Sequence, residues 1–97
     1  MNEVELIQNL IDRLDKLPNR DGIELDALQR RAKMIIKTIF GEKSEYLKDL
    51  TEIRFIPPIF NEKPSEEYLN ESWDGGKKRL RNLFNTMLEE LKLKLKK

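Results

Sequence analysis

Glu67, Glu71 and Asp74 are spaced four and three residues apart, which on a helix places three carboxylates on one face, with Glu62 and Glu66 close by in sequence. Carboxylates grouped in this way can share a proton for acid–base work or hold a hard divalent cation through oxygen. The same residues fall in the first turns of a helix that Ser65 is placed to cap, where the helix dipole favours negative side chains without any ligand. The expectation is therefore no metal and no catalytic pair. A second cluster follows directly. Lys77, Lys78, Arg79 and Arg81 lie one turn beyond Trp73, a basic group beside a flat aromatic ring that suits phosphate backbones and stacked bases. Lys77, Lys78 and Arg81 are candidate nucleic-acid contacts on this pattern. They fan over more than one helical face, however, and Trp73 falls on an apolar seam, so ordinary solvated cations around a core tryptophan are the competing reading.

Other chemistry is limited by composition. Gly75-Gly76-Lys77-Lys78 shares residue types with the end of a phosphate loop but lacks the first glycine and the preceding strand. Acidic residues nowhere take calcium-loop spacing. The chain contains no cysteine and no histidine, which removes disulfides, thiolate metal sites, the commonest general base and the imidazole ligand. A non-enzymatic protein with no cofactor is the expectation.

The elements that position these groups read as helices. Apolar and charged residues each make up 38% of the 97-residue chain, and the apolar ones recur at helical intervals, which favours an amphipathic helical domain over disorder. Val4, Ile7, Leu10 or Ile11, Leu14 and Leu17 form one stripe over about 2–17, stopped by Pro18. Asp21 and Glu24 have capping-box spacing before a second helix, 22–40, carrying Leu25, Leu28, Ala32, Ile35, Ile36, Ile39 and Phe40 inward. Gly41 is placed to end it in a left-handed conformation. Ser44 caps a short third helix, 45–52, with Tyr46, Leu47 and Leu50 as its buried side.

The longest pattern runs from 65 to about 92. From Leu69, the positions Trp73, Gly76, Leu80, Leu83, Met87 and Glu90 or Leu91 alternate at four and three residues, the seam of a helix packed lengthwise on others. The seam keeps phase through Gly75-Gly76, so Gly76 is expected to mark a close approach of another backbone; a turn splitting the helix there is the alternative. Beyond Lys92 the Leu–Lys alternation has period two and predicts a frayed end. At 1.5 Å per residue this helix spans roughly 42 Å, so one end is expected to overhang the bundle. The fold expected is all-α: one domain over 1–97, a compact four-helix bundle with a short third helix. The core should comprise Ile7, Leu10, Leu14, Leu28, Ala32, Ile35, Ile39, Leu47, Leu50, Phe55, Trp73, Gly76, Leu80, Phe84, Met87 and Leu91.

Ile53-Arg54-Phe55-Ile56-Pro57-Pro58-Ile59-Phe60 is the most apolar octapeptide, and its paired prolines forbid a helix. It is expected to lie across the helices as a lid that tucks Phe55, Ile56, Ile59 and Phe60 into the core. Where it is exposed, Phe55, Ile56, Pro57, Pro58, Ile59 and Phe60 become the candidate surface for a protein partner. Charge is uneven as well. Residues 77–97 carry +6 and the other 76 residues −5, either because an acidic body docks its own basic helix or because the helix meets an acidic partner. With no run of membrane-spanning length and an acidic, polar start, a cytoplasmic chain with no membrane association is expected.

Leu28-Gln29-Arg30-Arg31-Ala32-Lys33-Met34-Ile35-Ile36, Ile39-Phe40-Gly41, Ser44-Glu45-Tyr46-Leu47 and Ile53-Arg54-Phe55 form one set of strings. Ser72-Trp73, Gly76-Lys77, Leu83 and Met87-Leu88-Glu89-Glu90-Leu91 form another. Across residues 25 to 93 they resemble a helical region found ahead of TIR-like or nucleotide-binding effector domains in bacterial antiphage-type proteins. The resemblance implies an accessory or sensor-side module of a prokaryotic antiphage defence system, or a stand-alone relative of one. It brings no catalytic residue with it. The expectation of a homodimer or a protein partner comes instead from the long seam, the apolar lid and the absence of Cys, His and catalytic motifs.

Overall fold

In the computed structural model, residues 2–56 and 65–95 are described. Asn2 opens the first helix, α1 (Glu3–Asp15), by accepting the Glu5 backbone N–H on its side-chain oxygen at 2.8 Å. The helix stops two residues short of the stripe's end. Lys16 is the C-cap, and Leu17, although buried, has left the helix and donates to the Leu14 carbonyl. Helix α2 (Gly22–Phe40) is capped by Asp21, whose carboxylate accepts the Glu24 N–H at 3.1 Å. The returning arm of a capping box is not needed, because the Asp21 N–H already donates to the Pro18 carbonyl. Gly41 ends α2 at φ 99°, ψ 163°, an extended conformation open essentially to glycine alone and not the left-handed helical one. Ser44 caps α3 (Glu45–Glu52) through its hydroxyl, and Ser65 does the same for α4 (Glu66–Leu95) by accepting from Tyr68.

Helix α4 is unbroken through Gly75-Gly76 and runs one turn beyond the expected end. Lys and Leu are good helix formers, and the extra turn is held by Lys94, which pairs with Glu90 at 3.4 Å and stands 5.7 Å above the Phe40 ring. Period-two alternation does not melt the turn. It leaves Leu93 and Leu95 in solvent.

Helices α1 and α3 each pack on both α2 and α4 and so lie on one diagonal of the bundle. Asp15 meets Arg81 while Arg20 meets Glu66, so rising number in α1 meets falling number in α4. Tyr46 reaches Glu90 while Phe55 lies over Gly76, so α3 also runs against α4. The topology is up-down-up-down. The amino end of α4 does not overhang: Asn19 donates to Asn70 at 3.2 Å and Arg20 pairs with Glu66, tying down the α1–α2 turn.

Among the described residues the structure is an all-α four-helix bundle. Ile7, Leu10, Leu14, Ile36, Leu80, Phe84 and Met87 have almost no exposed surface. Fully burying a side chain of this size contributes about 1.5–3 kcal/mol. Ile39 and Leu47 are only half-buried, whereas Ile11, Leu17, Leu25, Ile36, Leu83 and Leu88 join the core. No helix is long and apolar enough to cross a membrane, among the described residues.

Candidate interaction groove

Ile53, just after α3, is extended at φ −74°, ψ 125°, and the chain then bends at Phe55 and Ile56. Phe55 is buried, whereas Arg54 and Ile56 on either side of it are exposed. Phe55 packs edge-on against Trp73, with ring centroids 5.2 Å apart. This crossing is possible only over a residue without a side chain. A Cβ added to Gly76 would lie 2.7 Å from Phe55 Cγ and 2.8 Å from the Arg54 carbonyl oxygen. Gly76 is therefore the site of close backbone approach that the seam predicted. A Cβ on its neighbour Gly75 would meet nothing within 4 Å.

Between the outward side of 54–56 and α4 lies an open groove of about 430 Å³. Ile56 and Tyr68 give it apolar walls and are 62% and 51% exposed. Gly75 and Gly76 line it without side chains, and Arg54, Arg79 and Glu71 supply its charges. Neither arginine has an ion-pair partner among the described residues. Asp49 and Glu52 line the adjoining α3–α4 groove together with Arg79 but do not approach to pairing distance.

The candidates from sequence fall in different places. Phe55 cannot contact a partner because it is core; Ile56 is at the surface, so it does not tuck inward as expected of a lid; Pro57, Pro58, Ile59 and Phe60 lie outside the described residues. Trp73 is 3% exposed and cannot stack on a base, and its indole N–H has no acceptor among the described residues. The exposed aromatic of α4 is Tyr68. Of the three candidate nucleic-acid contacts, Lys78 is exposed, Lys77 is half-buried, and Arg81 is paired with Asp15 at 3.2 Å. All three border a depression that also contains Asp15 and Asp74. Glu67, Glu71 and Asp74 are exposed, and no group of residues able to hold a metal ion occurs among the described residues.

The acidic body neutralises little of its basic helix. Arg81–Asp15 is the single ion pair between α4 cations and the other helices, and Lys94–Glu90 lies within α4, among the described residues. Lys77, Lys78, Arg79 and Lys92 are left without a carboxylate partner there. At the far end of the α3–α4 packing, the Tyr46 hydroxyl donates to Glu90 Oε1 at 3.2 Å. Burial first, then the Glu90 charge and hydrogen bond, then Asp49, hold this phenol above the ordinary tyrosine value.

Tyr68, Arg54, Arg79 and Gly75 were not singled out as site residues by sequence reasoning. Arg54 and Ile56 flank Phe55 in the sequence, and both are exposed where Phe55 is buried. Tyr68 lies just outside the seam phase that starts at Leu69. Comparison of the chain with protein-family models, with curated proteins and with solved structures found no match.

Proposed function

We propose that this chain is a non-enzymatic helical module that binds a protein, either as an oligomerisation element or as a docking element for a different partner. The observation that supports it most is the groove over Gly75, where Ile56 and Tyr68 expose apolar surface beside arginines that the fold does not neutralise. A sequence without histidine or cysteine agrees with a binding role. The resemblance across residues 25 to 93 extends the reading to a cytoplasmic accessory or sensor part of a bacterial defence system.

A photo-crosslinking residue in place of Tyr68, activated in the native cell, tests the reading. A protein adduct that disappears in an Ile56→Asp background supports it, because both positions are exposed and neither supports the core. Adducts to nucleic acid, or no adduct, refute it.

A nucleic-acid-binding role is the second reading, and the unneutralised Lys77, Lys78, Arg79 and Arg54 favour it. It requires salt-sensitive binding that weakens when Lys77, Lys78 and Arg81 are replaced by Ala. The Arg81–Asp15 pair and the carboxylate of Glu71 in the groove weigh against it.

A further inference from the structure

Gly75 sits in the interior of a 30-residue helix, where glycine is the least favourable residue short of proline. Nothing in the fold requires it, since its φ is not in the region that favours glycine and an added Cβ would have open space. What the glycine does provide is a bare helical surface between Ile56 and Tyr68 along which a second backbone can run closely. The same groove is lined by Arg54 and Arg79, both exposed and without partners among the described residues, against one carboxylate, Glu71.

We infer that this groove receives an acidic amphipathic helix of a partner protein, its apolar residues against Ile56 and Tyr68 and its carboxylates on Arg54 and Arg79. This rests on the protein-binding reading above and specifies the partner's chemistry. Arginine is suited to such a groove because its planar guanidinium takes a carboxylate through two parallel hydrogen bonds. Charge complementarity selects the partner and its register. A second copy of this chain fits less well. A two-fold contact centred here would pair the groove's residues with one another, and its two arginines per copy outnumber Glu71, the one carboxylate of the lining that could answer them. A polyanionic backbone brings no apolar side chains to cover Ile56 and Tyr68, which an amphipathic helix does.

The test measures binding of labelled peptides to the full chain by fluorescence anisotropy. One probe is an amphipathic helix of Leu and Glu, a second is the same pattern in Leu and Lys, and a third is a single-stranded oligonucleotide. The Leu/Glu helix should bind saturably, and the Leu/Lys helix about tenfold more weakly or worse. Gly75→Leu puts a side chain into the groove at a position where an added Cβ meets nothing within 4 Å; it should weaken Leu/Glu binding by about tenfold or more while helicity is retained. The pair Arg54→Ser with Arg79→Ser should do the same, and serves if Gly75→Leu fails to fold. Absent Leu/Glu binding, or binding indifferent to these variants, overturns the inference. Preference for Leu/Lys overturns the partner's charge but leaves the protein-binding reading in place, as does a dimer in light scattering that Gly75→Leu abolishes. An oligonucleotide that binds and displaces the Leu/Glu helix overturns both.

Discussion

Gly75 and Gly76 are neighbours in one helix, and alanine at each should have opposite consequences. Replacing a glycine in a helix interior by alanine gains about 0.8–1.0 kcal/mol of helix propensity. At Gly75 nothing lies within 4 Å of the new methyl group, so the whole gain should appear. For a domain of this length about 1 kcal/mol raises the melting temperature by roughly 4–8 °C. At Gly76 the same gain is set against collisions at 2.7 Å with Phe55 Cγ and 2.8 Å with Phe55 Cδ1 and the Arg54 carbonyl oxygen. The ring cannot swing away freely because it is wedged on Trp73, and the carbonyl is backbone. Overpacking of this kind costs about 1–3 kcal/mol. Propensity is common to both variants and cancels in their difference, so Gly76→Ala should fall below Gly75→Ala by that same 1–3 kcal/mol. Urea denaturation followed by far-UV circular dichroism measures both. Trp73 emission, from the single tryptophan, reports separately on the Phe55 contact. A Gly76→Ala variant as stable as Gly75→Ala would refute the close crossing.

Phe84→Ala, at the centre of the core, should cost about 3–5 kcal/mol, a large share of the 5–15 kcal/mol that holds a typical domain; calorimetry should show a much lower or absent transition. Asp21→Ala should cost about 0.5–2 kcal/mol by removing the acceptor of the Glu24 N–H, whereas Asp21→Asn should largely restore it in the same denaturation assay. Tyr46 makes stability depend on pH in the alkaline range. Its folded value lies above the unfolded 10.0, so the folded state holds the proton longer. The resulting stabilisation is complete below 10.0 and is lost as pH rises through the folded value, and Tyr46→Phe should flatten the fall in denaturation midpoint over that window.

Helical periodicity carried far because the bundle is built from it. The third helix, its serine cap and the seam through Gly76 follow from spacing and residue type alone, and all lie where those rules place them. The limits have physical causes. Leu10 and Ile11 read as alternatives because a single stripe was assumed, but α1 packs on two neighbours and buries both. Leu17 belongs to the core although the helix ends before it, since a turn residue can be buried without being helical. At the end of α4, side-chain alternation suggested fraying, yet backbone propensity and the Lys94 contacts with Glu90 and Phe40 continue the helix.

The groove was less legible than the core. Apolar content marked residues 53–60 as a unit, but the chain bends at Phe55 and Ile56 and divides these neighbours, Phe55 buried and Ile56 exposed. An aromatic beside a basic cluster pointed to Trp73, which packing claims for the interior, while Tyr68 holds the exposed position. The contribution of Gly75 depends on what is absent around it, which no residue spacing reveals.

The most direct test of a protein-binding role is photo-crosslinking from position 68 in the native cell, compared between the otherwise wild-type chain and Gly75→Leu. The expected result is a discrete protein adduct that is lost in Gly75→Leu while that variant remains as abundant and as helical as the parent. An adduct that survives Gly75→Leu, or one that proves to be nucleic acid, would contradict it.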